Sequence, residues 1–444
     1  MRPTTSWSDL PGQRVGVWGL GVEGRASIRK LATLGIDPVL VDDRAPAPED
    51  TTDFDPATVV ITDEGGLDAL LTCDVVIKTP GKSRYGTDVG HIVAAGVTVV
   101  GGLGLWLEDA DRDRVVVITG TKGKSTTTAI AGHLLSRLGS RVMCGGNIGL
   151  PPFDPAVAND VDWWVIEASS YQVTDLAVAP PVVAVTSLHP DHLTWHNDDP
   201  ETYYRDKLSL CTLPGARVAV VNGDSDLLRD RAELLGPDVR WVCADDASGA
   251  DSEWIDELGL LGEHNRRNAL IAREVLRQLG AAGVDDDERL AAAAAGFEHL
   301  PSRLTPVDTI DGVLFVDDSL STNVLPTLAA VDAFDDRPVA VIVGGADRGI
   351  DYGPLAAGLV GRAARTLVIV VESEAAPSIR AAFADVPIPL TAATDEAAAA
   401  QIGFDWARPA GVVLLSPAAP SFDRYQDYRA RAAAFTTAVA RLST

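Results

Sequence analysis

The stretch from Val115 to Thr128 constrains the fold more than any other part of the chain, because it predicts a strand, a tight turn and a helix in immediate succession. Val115–Ile118 is a run of β-branched residues, which is typical of a buried strand. A glycine-rich turn, Gly120–Lys124, follows, and Ser125 is expected to open the helix. Such a turn directs backbone N–H groups and the positive end of a helix dipole at one point, which predicts a phosphate site.

Two side chains of this turn have chemistry that suits a nucleotide. Lys124 would neutralise the outer phosphates, and the Ser125 hydroxyl would bind Mg²⁺. Two residues separate Gly120 from Gly123, whereas the complete phosphate-loop pattern has four between its glycines. The alternative is a loop that carries Gly, Lys and Ser without binding phosphate, but the order of strand, turn and helix favours the phosphate site.

Length and composition exclude several classes of protein. A chain of 444 residues is expected to form two or three domains. Its net charge of -26 argues against a general nucleic-acid binder, which needs a basic surface. The four cysteines form no CxxC pair, so neither a disulfide framework nor a zinc site is indicated. Without an apolar signal core or a run of 18 apolar residues, a cytoplasmic protein with no membrane segment is expected.

The first segment, residues 11–104, begins like a Rossmann domain. A strand leads into the GxGxxG turn Gly19–Gly24, a helix is expected over Arg25–Leu34, and a second strand ends at Asp42–Arg44. A dehydrogenase would also need a nicotinamide site and a catalytic acid, and the sequence indicates neither. The turn can equally hold the diphosphate of a nucleotide sugar. Gly81 ends another strand, where a plain turn glycine is the alternative.

The second segment, to about residue 300, places polar side chains after predicted strands. Glu167 follows a strand over 162–166, and a carboxylate there, near a phosphate loop, suits a Mg²⁺ ligand. His189, His192 and His196 crowd the turn after the next strand. We expect one of them, His192, to bind metal, and the alternative is a structural role.

Three further polar residues follow in helical contexts. Lys207 lies on a predicted helix, where the pattern alone predicts a solvated surface lysine. Asn265 and Asn268 precede a helix over Ala269–Leu279, and their amides could bind an adenine edge. The alternative for Asn265 is a helix N-cap.

The third segment, residues 301–444, alternates strands and alanine-rich helices, which predicts a parallel sheet with Rossmann-like winding. Polar turns follow three of its strands, at Asp317–Asn323, Gly344–Gly349 and Ser416–Asp423. Ligands of open α/β sheets bind beyond the carboxyl ends of strands, so we expect these turns to form a binding site. The alternative for each turn is an ordinary polar loop.

Taken together, these motifs resemble the muramyl ligases of peptidoglycan synthesis over nearly the whole chain. The motifs, in family order, are TGTKGKST, GGNIG, EASSYQ, HPDHL, YYRDK, GEHNRRN, PSR, DDSLSTN, GGADRG and SPAAPSFD. The resemblance implies an α/β protein of three domains. These are a Rossmann-like UDP-sugar domain (residues 1–103), a central phosphate-loop ATPase domain (104–300) and a Rossmann-like glutamate domain (301–444).

The resemblance also implies the chemistry, which is the joining of glutamate to UDP-N-acetylmuramoyl-L-alanine through an acyl phosphate. ATP and two Mg²⁺ ions are the implied cofactors, Lys207 is implied to be carbamylated, and a monomer is expected. The implied catalytic residues are Lys124, Glu167, His192 and Lys207. The implied metal-site residues are Ser125, Glu167, His192 and Lys207.

Binding residues follow from the same resemblance. Those implied for ATP are Gly120, Thr121, Lys122, Gly123, Lys124, Ser125, Thr126, Asn265, Asn268, Arg303 and Asp318. Those implied for the UDP-sugar are Val22, Glu23, Asp42, Asp43, Arg44 and Gly81, with Asn147 and His192 near the muramoyl-alanine end. Those implied for glutamate are Thr322, Arg348, Ser421, Phe422 and Tyr428.

The sequence departs from the usual family pattern at five of these motif positions. Lys122 replaces an asparagine, Ser302 a histidine, Leu320 and Arg348 each a lysine, and Tyr428 a phenylalanine. Arginine binds carboxylates in a planar fork and is not a neutral replacement for lysine. A minor branch of the family resembles this pattern and joins L-glutamate, so we predict L-glutamate, with D-glutamate as the alternative.

Two other functions are more distant alternatives. A folylpolyglutamate-type ligase is similar in the central part alone. A catalytically silent nucleotide-binding module would be expected to lack at least one of the four implied catalytic residues, and all four are present.

Overall fold

The computed structural model describes residues 3–46, 52–246 and 252–442. The chain folds into two compact units. The first contains Met1–Leu258 and Arg267–Gly296, and the second contains Gly259–Arg266 and Phe297–Thr444. The first unit holds two of the three sheets that the described residues form, and the second unit holds the third.

The N-terminal sheet is parallel throughout, with strand order β3-β2-β1-β4-β5. Its strands are β1 Val15–Trp18, β2 Val39–Asp42, β3 Val60–Ile61, β4 Val75–Lys78 and β5 Thr98–Val100. Its helices are α1 Val22–Thr33, α2 Gly66–Leu70, α3 Thr87–Ala94 and α4 Gly102–Asp109. The predicted Rossmann-like beginning is therefore present.

The GxGxxG turn packs as tightly as its glycines allow. A Cβ atom on Gly24 would lie 1.9 Å from the carbonyl oxygen of Gly19, so a larger residue would force the backbone apart. Asp42 Oδ2 accepts a hydrogen bond from Leu20 N at 2.5 Å and holds the turn against the end of β2. Helix α1 begins at Val22, three residues before the predicted start at Arg25, because the turn itself supplies the first helical residues.

The central sheet is also parallel throughout, with order β11-β10-β9-β6-β8-β7. Its strands are β6 Val115–Thr119, β7 Val142–Gly146, β8 Trp163–Glu167, β9 Val182–Val185, β10 Val218–Asn222 and β11 Val239–Val242. The helices here are α5 Lys124–Arg137, α6 Ser170–Val173, α7 Pro200–Leu208, α8 Asp226–Arg229, α9 Glu253–Asp256, α10 Glu263–Gln278 and α11 Asp287–Ala294. Every residue of β6 is buried, as its β-branched run predicts.

The C-terminal sheet has order β12-β13-β17-β14-β15-β16, and only the edge strand β12 runs antiparallel to its neighbour. The strands are β12 Thr305–Ile310, β13 Val313–Asp317, β14 Val339–Val343, β15 Thr366–Val371, β16 Leu390–Ala393 and β17 Val412–Leu415. The helices are α12 Val324–Asp332, α13 Gly353–Leu359, α14 Ala376–Ala382, α15 Glu396–Ala407 and α16 Tyr428–Leu442. Apolar clusters cover both faces of this sheet.

These sheets confirm the predicted fold class. Each places the carboxyl ends of several parallel strands at one edge, where the polar turns identified in the sequence begin. None of the helices within the described ranges is both long enough and apolar enough to cross a membrane.

Candidate active site

The phosphate loop between β6 and α5 has a backbone that requires glycine at two positions. Gly120 has φ 141°, and a Cβ atom there would lie 2.1 Å from Thr186 Oγ1. Gly123 has φ 87°, and its Cβ would lie 2.5 Å from Asn268 Oδ1. Helix α5 begins at Lys124, one residue before the predicted start. The loop thus has the close packing and helix N-terminus of a phosphate cradle.

Neighbouring residues fix this loop by hydrogen bonds. The amide of Lys122 donates to Ser187 Oγ at 2.8 Å, and Thr186 Oγ1 donates to the Lys122 carbonyl at 2.6 Å. The hydroxyls of Thr121 and Tyr203 lie 2.8 Å apart. The loop is therefore anchored to the segment after β9 and to α7, which sequence analysis did not identify as its supports.

Among the candidate residues, Glu167 has a buried carboxylate oxygen that is available to bind a ligand. It ends β8 and is 1% exposed. Its Oε1 accepts a hydrogen bond from Asn147 Nδ2 at 2.6 Å, whereas its buried Oε2 has no hydrogen-bond partner within the described residues. A buried carboxylate oxygen without a donor suits a hard cation. Together with the buried Ser125 hydroxyl at the start of α5, this donor set fits Mg²⁺.

Ordinary ligand residues are sparse around this carboxylate. The described residues contain no group of three or more His, Cys, Asp and Glu side chains that could hold a metal ion. A site here would therefore need oxygen donors of other kinds, such as a hydroxyl, phosphate oxygens or a modified side chain.

Lys207 is buried, so the surface position that its local pattern predicts is wrong. The residue is 2% exposed, and its Nζ donates to the Gly120 carbonyl at 2.9 Å. Burial, and next the charge of Lys124, lower the pKa of Lys207 well below its ordinary value. A lysine with a lowered pKa is more often a neutral amine, which is the form that reacts with CO₂. The structure thus supplies the chemical precondition for the implied carbamate.

His192 is the most accessible of the candidate catalytic side chains. Its backbone has φ 52°, its side chain is 60% exposed, and its ring centre lies 5.4 Å from that of Tyr171. Its Nε2 lies 3.7 Å from Asp191 Oδ1. Partial burial, together with nearby lysines, lowers the pKa of His192. The neutral imidazole that results is the form that binds a metal.

His196, another histidine of the same turn, has a different environment. It is fully buried, and Asp206 Oδ2 and Ser170 Oγ lie 2.6 and 3.1 Å from its two ring nitrogens. Both nitrogens are thus occupied. His189 lies beside the phosphate loop, where its backbone amide donates to Thr121 Oγ1 at 3.0 Å.

The residues implied for the UDP-sugar lie on the N-terminal sheet and its turns. Val22 is exposed at the start of α1, and the adjacent Glu23 accepts a hydrogen bond from Gln172 Nε2 at 2.5 Å. Burial raises the pKa of Glu23 to about 7. Asp43 forms an ion pair with Lys82, a cation that sequence analysis did not select.

Arg44 and Gly81 complete that implied set, and both are exposed. The first unit also contains a buried ion pair that the sequence did not indicate. Lys78 Nζ lies 2.5 Å from Asp175 Oδ2. Lys78 ends β4 and sits in an apolar run, so its neighbours gave no sign of a charge partner.

In the second unit, Asp318 lies deep in the turn after β13. It accepts hydrogen bonds from Ser416 Oγ at 2.8 Å and from Leu304 N at 3.2 Å. Burial raises its pKa to about 7. Arg303 lies between two residues with left-handed backbones, Ser302 (φ 59°) and Leu304 (φ 50°), so its position is set by an unusual turn.

Asn265 and Asn268 lie within α10, which begins at Glu263. The N-cap alternative for Asn265 is therefore wrong, because its side chain donates back to the Leu261 carbonyl at 2.8 Å. Asn268, in the first unit, lies against Gly123 of the phosphate loop.

The residues implied for glutamate lie on three strand-end turns and α16 of the second unit. The Arg348 guanidinium lies 5.5 Å from the ring centre of Phe422, which is 62% exposed. Ser421 is buried, whereas Thr322 and Tyr428 are partly buried. The structure thus places a cation and a buried hydroxyl on turns at the same edge of one sheet.

Arg431 was not selected from the sequence, although it holds these turns together. It is 2% exposed and donates to the carbonyls of Ser319 at 2.9 Å, Gly344 at 3.3 Å and Ala419 at 3.1 Å. These carbonyls belong to the turns after β13, β14 and β17. A helical arginine normally predicts a surface position, so no sequence signal indicated this role.

Comparison with known proteins identifies the family. Residues 118–276 match the Mur ligase middle domain. The UDP-N-acetylmuramoyl-L-alanine--L-glutamate ligase of a Micromonospora species is 39% identical, with 97% of each chain covered. The enzyme of that name from Salinispora tropica is 38% identical, with 97% of this chain and 98% of the relative covered.

This chain belongs to the Mur ligase family.

Two solved structures share the fold of this chain. The MurF ligase from Thermotoga maritima in complex with ADP superposes with a TM-score of 0.59 at 16% identity, covering 99% of each chain. Folylpolyglutamate synthase from Mycobacterium tuberculosis, complexed with ADP and AMPPCP, gives a TM-score of 0.52 at 18% identity. It covers 74% of this Mur ligase and 92% of that chain. The predicted three-part Mur ligase architecture is confirmed, and the roles of individual residues remain predictions.

Proposed function

We propose that this Mur ligase uses ATP to join L-glutamate to UDP-N-acetylmuramoyl-L-alanine in peptidoglycan synthesis. The observation that carries the proposal is the match, over 97% of the chain, to a relative named for this reaction. The names of several such relatives specify L-glutamate, in agreement with the prediction from Arg348 and its neighbours.

The reaction has two steps. The alanine carboxylate attacks the γ-phosphorus of ATP, giving an acyl phosphate and ADP, and the amine of glutamate then displaces phosphate through a tetrahedral intermediate. Phosphoryl transfer depends mainly on positioning and on charge neutralisation. In this proposal Lys124 neutralises the outer phosphates, while the fixed amides of the loop from Gly120 to Gly123 orient them.

Glu167, Ser125 and His192 would hold Mg²⁺, and a carbamate on Lys207 would orient it. The unpaired Oε2 of Glu167 and the lowered pKa of Lys207 support these roles. Bound Mg²⁺ would neutralise the charge that develops on the phosphate oxygens. Asn147 would act beside this centre by holding Glu167, in addition to its implied place near the muramoyl-alanine end.

Amino-acid selection is assigned to the second unit. Glutamate offers two carboxylates, and inverting its α-carbon while its amine stays placed moves at least one of them. Arg348 would bind one carboxylate in a bidentate manner. Ser421 would contact the other, with Thr322, Phe422 and Tyr428 shaping the rest of the pocket.

The remaining assignments follow from the substrates. The UDP-sugar would contact Val22, Glu23, Asp42, Asp43, Arg44 and Gly81. ATP would also contact Asn265, Asn268, Arg303 and Asp318. Because ATP and UDP-sugars are cytoplasmic metabolites, we assign the enzyme to the cytoplasm, and we expect a monomer with domains at residues 1–103, 104–300 and 301–444.

Turnover with pure enantiomers of glutamate tests the proposal. Purified enzyme, ATP, Mg²⁺ and UDP-N-acetylmuramoyl-L-alanine are mixed with L- or D-glutamate, and ADP and the peptide product are measured. We expect a preference for L-glutamate of about 100-fold or more, since the wrong enantiomer leaves buried polar groups unpaired.

Three controls separate the alternatives. A preference for D-glutamate would overturn the choice of enantiomer and leave the ligase assignment standing. Product formed from a pteroylglutamate acceptor in place of the UDP-sugar would favour the folylpolyglutamate-type reaction. Nucleotide binding without turnover of either acceptor would favour the silent module.

A further inference from the structure

A partly buried chain of hydrogen bonds connects the loop after β4 to the helices that flank the catalytic centre. We propose that two residues of this chain are positioning residues for the ligase reaction: Tyr85, at one end, and His196, in the middle. Through them the loop of residues 79–85, named here the β4 loop, fixes the orientation of α6 and α7. The proposal rests on the proposed function for its kinetic consequences.

The connection consists of four side chains. Tyr85 OH donates to Asp206 Oδ1 at 2.7 Å, and Asp206 Oδ2 lies 2.6 Å from His196 Nδ1. His196 Nε2 lies 3.1 Å from Ser170 Oγ. Each oxygen of the Asp206 carboxyl group and each ring nitrogen of His196 therefore has a partner within hydrogen-bond distance. Both polar atoms of the fully buried imidazole thus have a hydrogen-bond partner.

Two members of this chain of hydrogen bonds, which we call the relay, adjoin the candidate catalytic residues in sequence. Asp206 immediately precedes Lys207 on α7, and Ser170 opens α6, three residues after Glu167. A rotation of α7 that broke the bond between Asp206 and His196 would also move Lys207 Nζ away from the Gly120 carbonyl. A misplacement of about 1 Å at a reacting group can reduce rate by about 100-fold.

The β4 loop also forms hydrogen bonds with the segment that carries His192. Trp195 Nε1 donates to the Pro80 carbonyl at 3.0 Å, and Ser83 Oγ donates to the Trp195 carbonyl at 2.7 Å. The Trp195 ring stacks on Tyr171 with centroids 4.6 Å apart, and His192 packs against the same tyrosine. The β4 loop therefore contacts both the His192 segment and α7.

The same loop carries a residue implied for the UDP-sugar. Gly81 lies between Pro80 and Lys82, and Lys82 is paired with Asp43, another implied contact. Binding of the UDP-sugar would order the β4 loop. Through the hydrogen bonds of the relay, the ordered loop would then hold Lys207 in position. Tyr85 and His196 thus act through other residues and need not touch a substrate.

Tyr85→Phe removes one hydroxyl and tests this inference. The ring is 39% exposed, so water can replace the hydroxyl and the melting temperature is expected to stay within about 2 °C. We expect kcat to fall about ten-fold, KM for ATP and for the UDP-sugar to change less than two-fold, and the Mg²⁺ concentration for half-maximal rate to rise. Tyr204→Phe, on α7 near Asp206 but outside the relay, is the control and is expected to retain wild-type constants.

A measurement without turnover keeps the two proposals separable. Hydrogen exchange of a peptide covering residues 192–208 is expected to be several-fold faster in Tyr85→Phe than in wild type or Tyr204→Phe. Unchanged exchange would overturn the relay whatever the wild-type activity. Faster exchange with unchanged kcat and Mg²⁺ dependence would overturn the positioning role. A wild-type enzyme that forms no peptide, together with faster exchange, would overturn the proposed function and leave the mechanical link standing.

His196→Gln provides a second variant. Glutamine can keep one of the two hydrogen bonds, so a smaller loss of kcat than in His196→Ala is expected at similar KM. Equal losses in the two variants, each matched by a large fall in melting temperature, would assign His196 to folding alone and overturn its positioning role.

Discussion

The phosphate-loop region and the amino-acid region expose their functional side chains very differently. Glu167 at the end of β8 and Lys207 on α7 are 1% and 2% exposed, and each is hydrogen-bonded to a protein group. In the C-terminal sheet, Arg348 and Phe422 are exposed, and the buried polar residues such as Arg431 bind backbone instead. The phosphate-loop region thus buries Glu167 and Lys207, although His192 is 60% exposed, whereas the C-terminal region buries the arginine that supports its strand-end turns.

This difference corresponds to two physical demands. Phosphoryl transfer requires charges fixed in a dry, preorganised site, because a low dielectric strengthens each interaction. Amino-acid recognition requires accessible side chains, and an exposed side chain can be replaced by another residue without disturbing the core. Variation at Leu320, Arg348 and Tyr428 is therefore compatible with one unchanged reaction.

The largest effect is expected from Lys124→Ala. Loss of this cation should lower glutamate-dependent ADP release by about 1,000-fold or more, because the charge developing on the phosphates is no longer neutralised. The fold should survive, as circular dichroism and melting would show. Lys30→Ala, on the surface of α1, is the control, and near wild-type activity in Lys124→Ala would remove this residue from the mechanism.

Lys207→Ala should be nearly as damaging, with activity lower by about 100-fold or more. If the lysine carries a carbamate, a short-chain carboxylic acid should occupy the vacated space and restore part of the rate. The same acid should not raise the rate of Lys124→Ala. An unmodified Lys207 mass in active, bicarbonate-equilibrated enzyme would contradict the carbamate.

In the C-terminal region, Arg431→Met should act mainly on stability. It leaves the Ser319, Gly344 and Ala419 carbonyls without their donor, which should cost about 2–4 kcal/mol in free energy of unfolding. Denaturant titration would measure the loss, with the exposed Arg429→Met as control. A loss no greater than in the control would show that the turns do not depend on Arg431.

Asp318→Asn should change how stability depends on pH. The folded-state pKa of Asp318 is about 7, against an ordinary value of 3.8, so between these values the folded state binds more protons than the unfolded state. Stability therefore falls as pH rises from 5 to 8, by about 1–3 kcal/mol. In the Asp318→Asn variant, the free energy of unfolding should differ less between pH 5 and pH 8 than in the wild type. An equally large difference in the variant would contradict this prediction.

The smallest effect is expected from Arg348→Lys. The charge remains, but the bidentate geometry is lost, so KM for L-glutamate should rise about ten-fold, equivalent to about 1.4 kcal/mol. Values of kcat and KM for ATP should change little. Arg380→Lys, an exposed ion-paired arginine of the same unit, is the control. A rise in KM for ATP instead would place Arg348 outside the glutamate pocket.

Strongly β-branched strands were predictable to within one residue. The predicted strand Val115–Ile118 is observed as β6, Val115–Thr119, because its continuous apolar run is fully buried. In contrast, the edge strands β12 and β16 were not predicted. β12 alternates weakly and is largely exposed, and β16 is a short stretch of small residues whose pairing depends on a neighbouring strand.

The candidate residues divide in a similar way. Motif order identified Lys124, Glu167, His192 and the family, since a turn at the end of a buried strand is a local pattern. The burial of Lys207, the pairing of His196 with Asp206 and the carbonyl contacts of Arg431 join residues that no local pattern connects. An isolated lysine or arginine on a helix looks like a surface residue until the elements around it are known.

By itself, the sequence determined the fold class, the phosphate loop and membership of the Mur ligases, because strand propensity, glycine turns and motif order act over short stretches. Tertiary structure decided which charges are buried, which carboxylate oxygen lacks a donor and which loops hold one another. Those properties depend on desolvation and on hydrogen bonds between distant segments, such as Tyr85 to Asp206, and a linear pattern does not specify such contacts.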